Sequence, residues 1–262
     1  MKCIMLGTGH ALVTRCFNTC FVLEENNSYF LVDTGGGNQI LSQLEKANVD
    51  ISRIEAIFIS HKHTDHILGI FWLIRTLNMY KKMGRLKNPV TLYSHFECIE
   101  CIQNITKELF NHTFEDIIQY EVIQDLDKRV VLNHSIQFFD TYAKKEKQFG
   151  FQYQYDDIHI FSFCGDEPCI REELMEKATY LMHEAFCLHA QKDIFHPERA
   201  HHSTVLQACQ IAQKYHIPNV ILFHTEDYDL THRKENYIKE GQSIYTGNLF
   251  VPNDLEEIEL CK

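Results

Sequence analysis

The segment Ser60-His61-Lys62-His63-Thr64-Asp65-His66 constrains this chain more than any other stretch of its 262 residues. It brings three imidazoles and one carboxylate together in a short piece of chain. The apolar run before it, Ile54–Ile59, is rich in β-branched residues and predicts a buried strand. After it, apolar side chains recur at helical spacing from Ile67 to Leu77. The polar segment therefore lies where a strand ends and a helix begins, which is a common place for binding sites in α/β proteins.

The spacing within this segment predicts ligands for two metal ions. His61 and His63 are two residues apart, so in extended chain their side chains point the same way. Asp65 and His66 follow on the first helical turn and face another direction, so they suit a second ion. Imidazole and carboxylate together suit zinc, and also manganese or iron. Because the chain contains 16 histidines, a polar loop that is rich in His by chance is the alternative interpretation.

The pattern His-x-His-x-Asp-His resembles the signature of the metallo-β-lactamase superfamily. The resemblance implies an α/β fold, a four-layer αββα sandwich of two mixed sheets flanked by helices, with the metal site along one edge of the sheets. No linker or low-complexity tract interrupts the sequence. We therefore expect a single domain over 1–262, built from two similar halves of about 1–130 and 131–262.

Charge and composition limit the classes of function. The formal net charge is −11, which argues against a surface built broadly for nucleic acid. The first residues form too short an apolar run for a secretory signal, and no apolar stretch reaches the length of a membrane span. We therefore expect a cytoplasmic protein whose ten cysteines are reduced and which makes no membrane contact.

Three further residues match the superfamily's metal site by their position in the chain. Asp166 follows the predicted strand Ile158–Phe163 and Gly165, and the resemblance implies that its carboxylate bridges both metals. His224 ends a predicted strand, and the resemblance implies that it is the final metal ligand. Asp33, in Asp33-Thr34-Gly35, would brace the metal-binding loop. A helix N-cap is the alternative role for Asp166, and a simple turn is the alternative for Asp33.

Two short motifs in the second half resemble the ribonuclease Z branch of the superfamily. They are His183-Glu184-Ala185 and His202-Ser203-Thr204. The resemblance implies that Glu184 and His202 form a dyad that protonates the leaving oxygen. Ser203 and Thr204 open a predicted helix, whose N-terminus suits a phosphate, although plain N-capping accounts for them as well. His201 is the alternative to His202.

The chain departs from the family at one metal ligand. A metal-binding His is expected at the end of a strand, several residues before a Gly-aromatic pair, which here is Gly150-Phe151. Tyr142 occupies that position. The first metal site, with His61 and His63, therefore either lacks its third protein ligand or uses the Tyr142 phenolate. The second site, with Asp65, His66, Asp166 and His224, keeps all its ligands.

The second departure concerns the substrate. Ribonuclease Z enzymes of bacterial type carry a long arm that grips tRNA, inserted before the Gly-Asp pair, where this chain has only a tight hairpin. We therefore expect a metal-dependent hydrolase, most simply a phosphodiesterase for a small phosphodiester, which uses metal-activated hydroxide oriented by Asp65. Two zinc ions are expected, or one if the first site is incomplete. The alternatives are a lactone or thioester hydrolase, a tRNA 3′-end endonuclease and a non-catalytic metal-binding regulator. The resemblance also implies a homodimer.

Overall fold

The computed structural model describes residues 1–168 and 170–261, and within them the strands form two seven-stranded mixed sheets. Each sheet has four strands joined by antiparallel pairing and continues in parallel pairing. The first sheet has the order β14-β1-β2-β3-β4-β5-β6 and the second has the order β13-β12-β11-β10-β9-β8-β7.

The strands of the first sheet are β1 (Lys2–Gly7), β2 (Cys20–Glu25), β3 (Ser28–Val32), β4 (Ile54–Phe58), β5 (Val90–Ser94), β6 (Ile118–Val122) and β14 (Glu257–Glu259). Those of the second sheet are β7 (Lys128–Val131), β8 (His134–Asp140), β9 (Phe149–Gln154), β10 (Ile160–Phe163), β11 (Tyr180–Glu184), β12 (Asn219–Phe223) and β13 (Asn248–Phe250).

Alternation along the strands separates an inner core from two outer cores. On β3, Phe30 and Val32 point into the core between the sheets, whereas Tyr29 and Leu31 point to the outer face. The inner core is rich in aromatic rings from both sheets, such as Phe58 and Phe138, whose centroids are 5.2 Å apart. Both faces of each sheet are therefore buried.

Helices cover the two outer faces. The outer core of the first sheet receives apolar side chains from α1 (Gln39–Lys46), α3 (Gly69–Lys82) and α4 (Phe96–Phe110), and that of the second from α6 (Val205–Lys214) and α7 (Leu230–Gly241). Two short helices are α2 (Thr64–Ile67) and α5 (Lys192–Phe195). The predicted four-layer αββα sandwich is confirmed. In the described part of the chain, no helix is long and apolar enough to cross a membrane.

The division into one domain with two halves stays a prediction. Strand β14 comes from the end of the chain and pairs with β1, at the beginning. The polar segment 125–134, which joins the two predicted halves, contains β7. This strand lies at the edge of the second sheet and buries only one of its four residues, so its sequence lacks the apolar signal of a buried strand.

Gly69 allows α3 to pack directly on the loop that follows β3. Its N–H donates to the carbonyl of Gly35 at 3.0 Å, and a Cβ at position 69 would lie 1.9 Å from the carbonyl oxygen of Thr34. We expect Gly69→Ala to lower the free energy of unfolding by about 1–3 kcal/mol, because the backbone must move apart. Gly37→Ala is the matched control, since a Cβ there meets nothing within 4 Å. Urea denaturation measures both, and equal stability of the two variants would contradict the expectation.

Candidate metal centre

The metal-binding candidates converge because strands of both sheets end at the same edge. Asp33 follows β3, His61 comes shortly after β4, and Asp166 follows β10 through Gly165, which has a φ of +75°. Glu184 is the last residue of β11. His224 follows β12. Carboxyl ends of parallel strands meet at one edge of a sheet, so residues far apart in sequence come together here.

One group of donors comprises His61, His63 and Asp166, whose ligand atoms lie within 4.8 Å of one another. The ring nitrogens His61 Nε2 and His63 Nδ1 are 2.8 Å apart. Asp166 Oδ2 lies 3.6 Å from His61 Nε2. The extended backbone at His63 (φ −64°, ψ 150°) places both imidazoles on the same side, as their spacing predicts.

A second group of donors comprises Asp65, His66, Asp166 and His224, again within 4.8 Å of one another. His66 Nε2 lies 3.2 Å from Asp65 Oδ2 and 3.3 Å from Asp166 Oδ2. His224 Nε2 lies 3.5 and 3.4 Å from the same two oxygens. Asp166 belongs to both groups, so its carboxylate lies between them.

The donor atoms fit divalent metal ions. His66 Nε2 and His224 Nε2 are buried and have no hydrogen-bond partner among the described residues. Burial raises the pKa of the Asp65 carboxyl, but His66 and His224 outweigh it and hold that pKa below its ordinary value. The same balance, with His61 contributing most, lowers the pKa of Asp166. Ionised carboxylates beside unpaired imidazole nitrogens are ligands that zinc, manganese and iron accept.

Asp33 supports the orientation of the His66 ring. It is fully buried, and its Oδ2 lies 2.8 Å from His66 Nδ1, so the other ring nitrogen of His66 faces the donors. The backbone N–H and the hydroxyl of Ser60 donate to Asp33 Oδ1 at 2.8 and 3.0 Å. A carboxylate that orients a metal-binding imidazole in this way fixes its tautomer and ring direction.

Glu184 and His202 adjoin the second group. Glu184 Oε1 accepts the Ser203 backbone N–H. Its Oε2 is buried, has no hydrogen-bond partner among the residues that the structure describes, and lies 3.7 Å from His202 Nδ1. His202 Nδ1 donates to the carbonyl of Asp166 at 2.8 Å. Burial raises the pKa of Glu184 well above its ordinary value, and burial with nearby His224 lowers the pKa of His202 to about 3.

Ser203 and Thr204 take part in hydrogen bonds within the protein. Thr204 is the N-cap of α6 and forms a capping box with Gln207. The Ser203 side chain is buried, and neither residue lines the cavity over the donors. N-capping accounts for Thr204, and the use of either residue in substrate binding stays a prediction.

Tyr142 lies apart from the donors. Its side chain is 54% exposed and stacks on Arg171, whose guanidinium carbon is 4.9 Å from the ring centroid. It lines a separate surface depression with the lysines of 144–147, not the cavity over the metal centre. His134, at the other end of β8, contacts Glu25 at 2.5 Å. The structure therefore does not bring a third nitrogen or phenolate ligand to His61 and His63 from this region.

We expect Tyr142→Phe to leave the number of bound metal ions unchanged, because the phenol lies outside the donor groups. Elemental analysis of the purified variant measures this, with His63→Ala as the comparison that removes a donor of the first group. Loss of one ion in Tyr142→Phe would show that the phenolate is a ligand after all.

Sequence reasoning does not identify four of the residues that line the cavity: His10, Lys145, Gln148 and Glu167. His10 packs on Phe186, with ring centroids 4.5 Å apart. Lys145 belongs to the basic run 144–147, and such a run is typical of solvated surface. The one local signal for His10 is that it follows the sharp turn Gly7-Thr8-Gly9.

Known proteins are similar to this chain over most of its length. A sequence model of the family described as anti-Pycsar protein Apyc1 matches residues 1–243. The chain belongs to this family. Ribonuclease Z from Thermococcus sibiricus is 26% identical over 99% of this chain and 96% of its own length.

Two solved structures share the fold of this family member. The metallo-β-lactamase fold protein YhfI from Bacillus subtilis superposes with a TM-score of 0.83 at 19% identity, covering 98% of both chains. A diphosphatase from the PhnP family superposes with a TM-score of 0.74 at 17% identity, covering 99% of this chain and 97% of its own.

The similarity to ribonuclease Z and the shared metallo-β-lactamase fold agree with the superfamily and the ribonuclease Z-like branch that the motifs predict. The protein is a metal-dependent hydrolase of the phosphodiesterase type, and its buried His and Asp groups are a candidate site for divalent metal.

Proposed function

We propose that the protein hydrolyses a small phosphodiester at a centre for two zinc ions. The observation that carries this proposal is the pair of donor groups that share Asp166 and adjoin Glu184 and His202. Two metal sites joined by one carboxylate are suited to in-line attack on phosphorus. When bound, the ions supply an activated water and offset the charge that builds on the phosphoryl oxygens.

In this proposal, the residues around the metals orient the attacking water and protonate the leaving oxygen. Asp65 Oδ2 faces the space between His66 and His224, so it can accept a hydrogen bond from the attacking water. His202 is neutral at pH 7, because burial lowers its pKa to about 3. A phosphodiester anion beside the ring favours the protonated form, in which Nε2 takes up a proton from solvent. His202 then donates its Nε2 proton to the leaving oxygen.

The shape of the chain supports a small substrate. The loop between β9 and β10 spans 155–159, so no tRNA-gripping arm extends from this position. The cavity above the donors has a volume of about 50 Å³, and Lys145 at its rim can contact a non-bridging phosphoryl oxygen. A net charge of −11 also disfavours a long nucleic acid.

Cleavage at the 3′ end of tRNA is the second candidate function, because ribonuclease Z from Thermococcus sibiricus matches nearly the whole chain. A homodimer, which the same resemblance implies, is also a proposal, and light scattering on the purified protein measures it.

The proposed function is tested with zinc-loaded protein on three substrates: bis(p-nitrophenyl) phosphate, γ-butyrolactone and a tRNA precursor with a 3′ trailer. We expect turnover of the phosphodiester and little cleavage of the precursor. Efficient cleavage of the precursor would replace the proposal with the tRNA endonuclease. Turnover of the lactone alone would favour the lactone or thioester hydrolase.

A further inference from the structure

The loop between β8 and β9 brings a carboxamide against the carboxylate that the two donor groups share. Gln148 is fully buried. Its Nε2 donates to Asp166 Oδ1, and its Oε1 accepts the Asp166 backbone N–H at 3.1 Å. A carboxamide has one donating and one accepting end, so these two contacts together fix its orientation.

The neighbouring backbone holds this carboxamide in place. A Cβ at position 165 would lie 2.6 Å from Gln148 Oε1, so Gly165 provides the space in which the amide lies. The Gln148 carbonyl accepts hydrogen bonds from the N–H and the hydroxyl of Thr141 at 3.0 and 3.1 Å. Both the side chain and the backbone of Gln148 are therefore fixed.

The contact with Gln148 determines which oxygen of Asp166 faces the imidazoles. Oδ1 is paired with the carboxamide. Oδ2 lies between 3.3 and 3.6 Å from a nitrogen of His61, His66 and His224. A single carboxylate oxygen thus faces both donor groups.

We propose that Gln148 is a positioning residue that holds Asp166 with one oxygen shared between the two metal sites. The inference rests on the metal centre of the proposed function. In the family's pattern this loop supplies a metal-binding His, whereas here it supplies a support for the shared carboxylate.

The β8–β9 loop, which carries Gln148, is anchored on both sides. Buried Glu167 accepts the backbone N–H groups of Lys144 and Lys145 at 2.9 and 3.2 Å. Toward the first sheet, Lys147 pairs with Glu97 at 3.2 Å. The loop therefore holds Gln148 in a fixed place relative to Asp166.

The test compares Gln148→Leu with Gln152→Leu. Gln152 is a matched control, because it lies on β9, and its Nε2 donates to a backbone carbonyl, that of Leu174, away from the donor groups. Zn²⁺ affinity is measured by competition with a chromophoric chelator, and the absorption spectrum of the Co²⁺-loaded protein reports the ligand field. Loss of a residue that orients a metal ligand weakens metal binding by about 10- to 100-fold. We expect that loss, with an altered Co²⁺ spectrum, for Gln148→Leu alone.

Wild-type affinity and an unchanged spectrum in Gln148→Leu would overturn the inference, as would an equal loss in Gln152→Leu. If Gln148→Leu does not fold, Gln148→Met, which keeps the length of the side chain, takes its place. Failure of both to fold would also overturn the inference, because Gln148 would then be a structural residue. Absence of metal binding in the wild type would instead overturn the proposed function.

Discussion

Asp65→Asn is expected to lower kcat/KM for a small phosphodiester by about 1,000-fold. Only a substitution of Asp166 is expected to have a larger effect. Asp65 is buried and anionic, and its Oδ2 lies within 3.5 Å of both His66 and His224. The amide keeps the size of the side chain but removes the charge that holds the second metal ion. A metal centre supplies several kcal/mol of transition-state stabilisation, and each 1.36 kcal/mol is tenfold in rate.

The control for this substitution is Asp157→Asn, at an exposed position in the hairpin between β9 and β10. It changes the net charge by the same amount without touching the centre. Steady-state kinetics and elemental analysis on both proteins separate a local effect from a general one. Rates within a fewfold of wild type for Asp65→Asn would remove Asp65 from the mechanism.

His202→Ala is expected to slow hydrolysis according to the leaving group. General acids contribute about 10²- to 10⁴-fold when the leaving oxygen needs a proton. A p-nitrophenolate leaves without protonation, whereas an alkoxide does not. We therefore expect His202→Ala to lose about 100-fold or more on a dialkyl phosphodiester and far less on bis(p-nitrophenyl) phosphate.

His201→Ala is the matched control, because it removes the adjacent imidazole, which is exposed and does not line the cavity. The ratio of the rates on the two esters is the quantity to compare among wild type, His201→Ala and His202→Ala. An equal loss on both esters would assign His202 to binding. An effect confined to His201→Ala would transfer the role of proton donor to that residue.

The parts of the fold and of the site that the sequence predicts are local. His61, His63, Asp65 and His66 lie within six residues where a strand ends and helix α2 begins, so their spacing in the sequence predicts their grouping. Periodicity also predicts most strands and helices, since buried faces repeat every two residues in a strand and every 3.6 in a helix.

The parts that the sequence does not predict depend on contacts between distant segments or on backbone conformation. Nothing near Gln148 indicates that it meets Asp166, because the contact follows from the approach of the β8–β9 loop to the end of β10. Tyr142 illustrates the second cause. It has a φ of +55°, and its N–H donates to Asp140 Oδ1 at 2.8 Å, which turns its side chain away from the centre.

The number of metal ions per chain tests the account most directly. Elemental analysis is made on protein purified without chelators and loaded with zinc, alongside the His63→Ala variant, which keeps the second donor group intact. The account predicts two ions in the wild type and one in His63→Ala. One ion or none in the wild type would contradict it, since the donor groups that share Asp166 would then not form a two-metal centre.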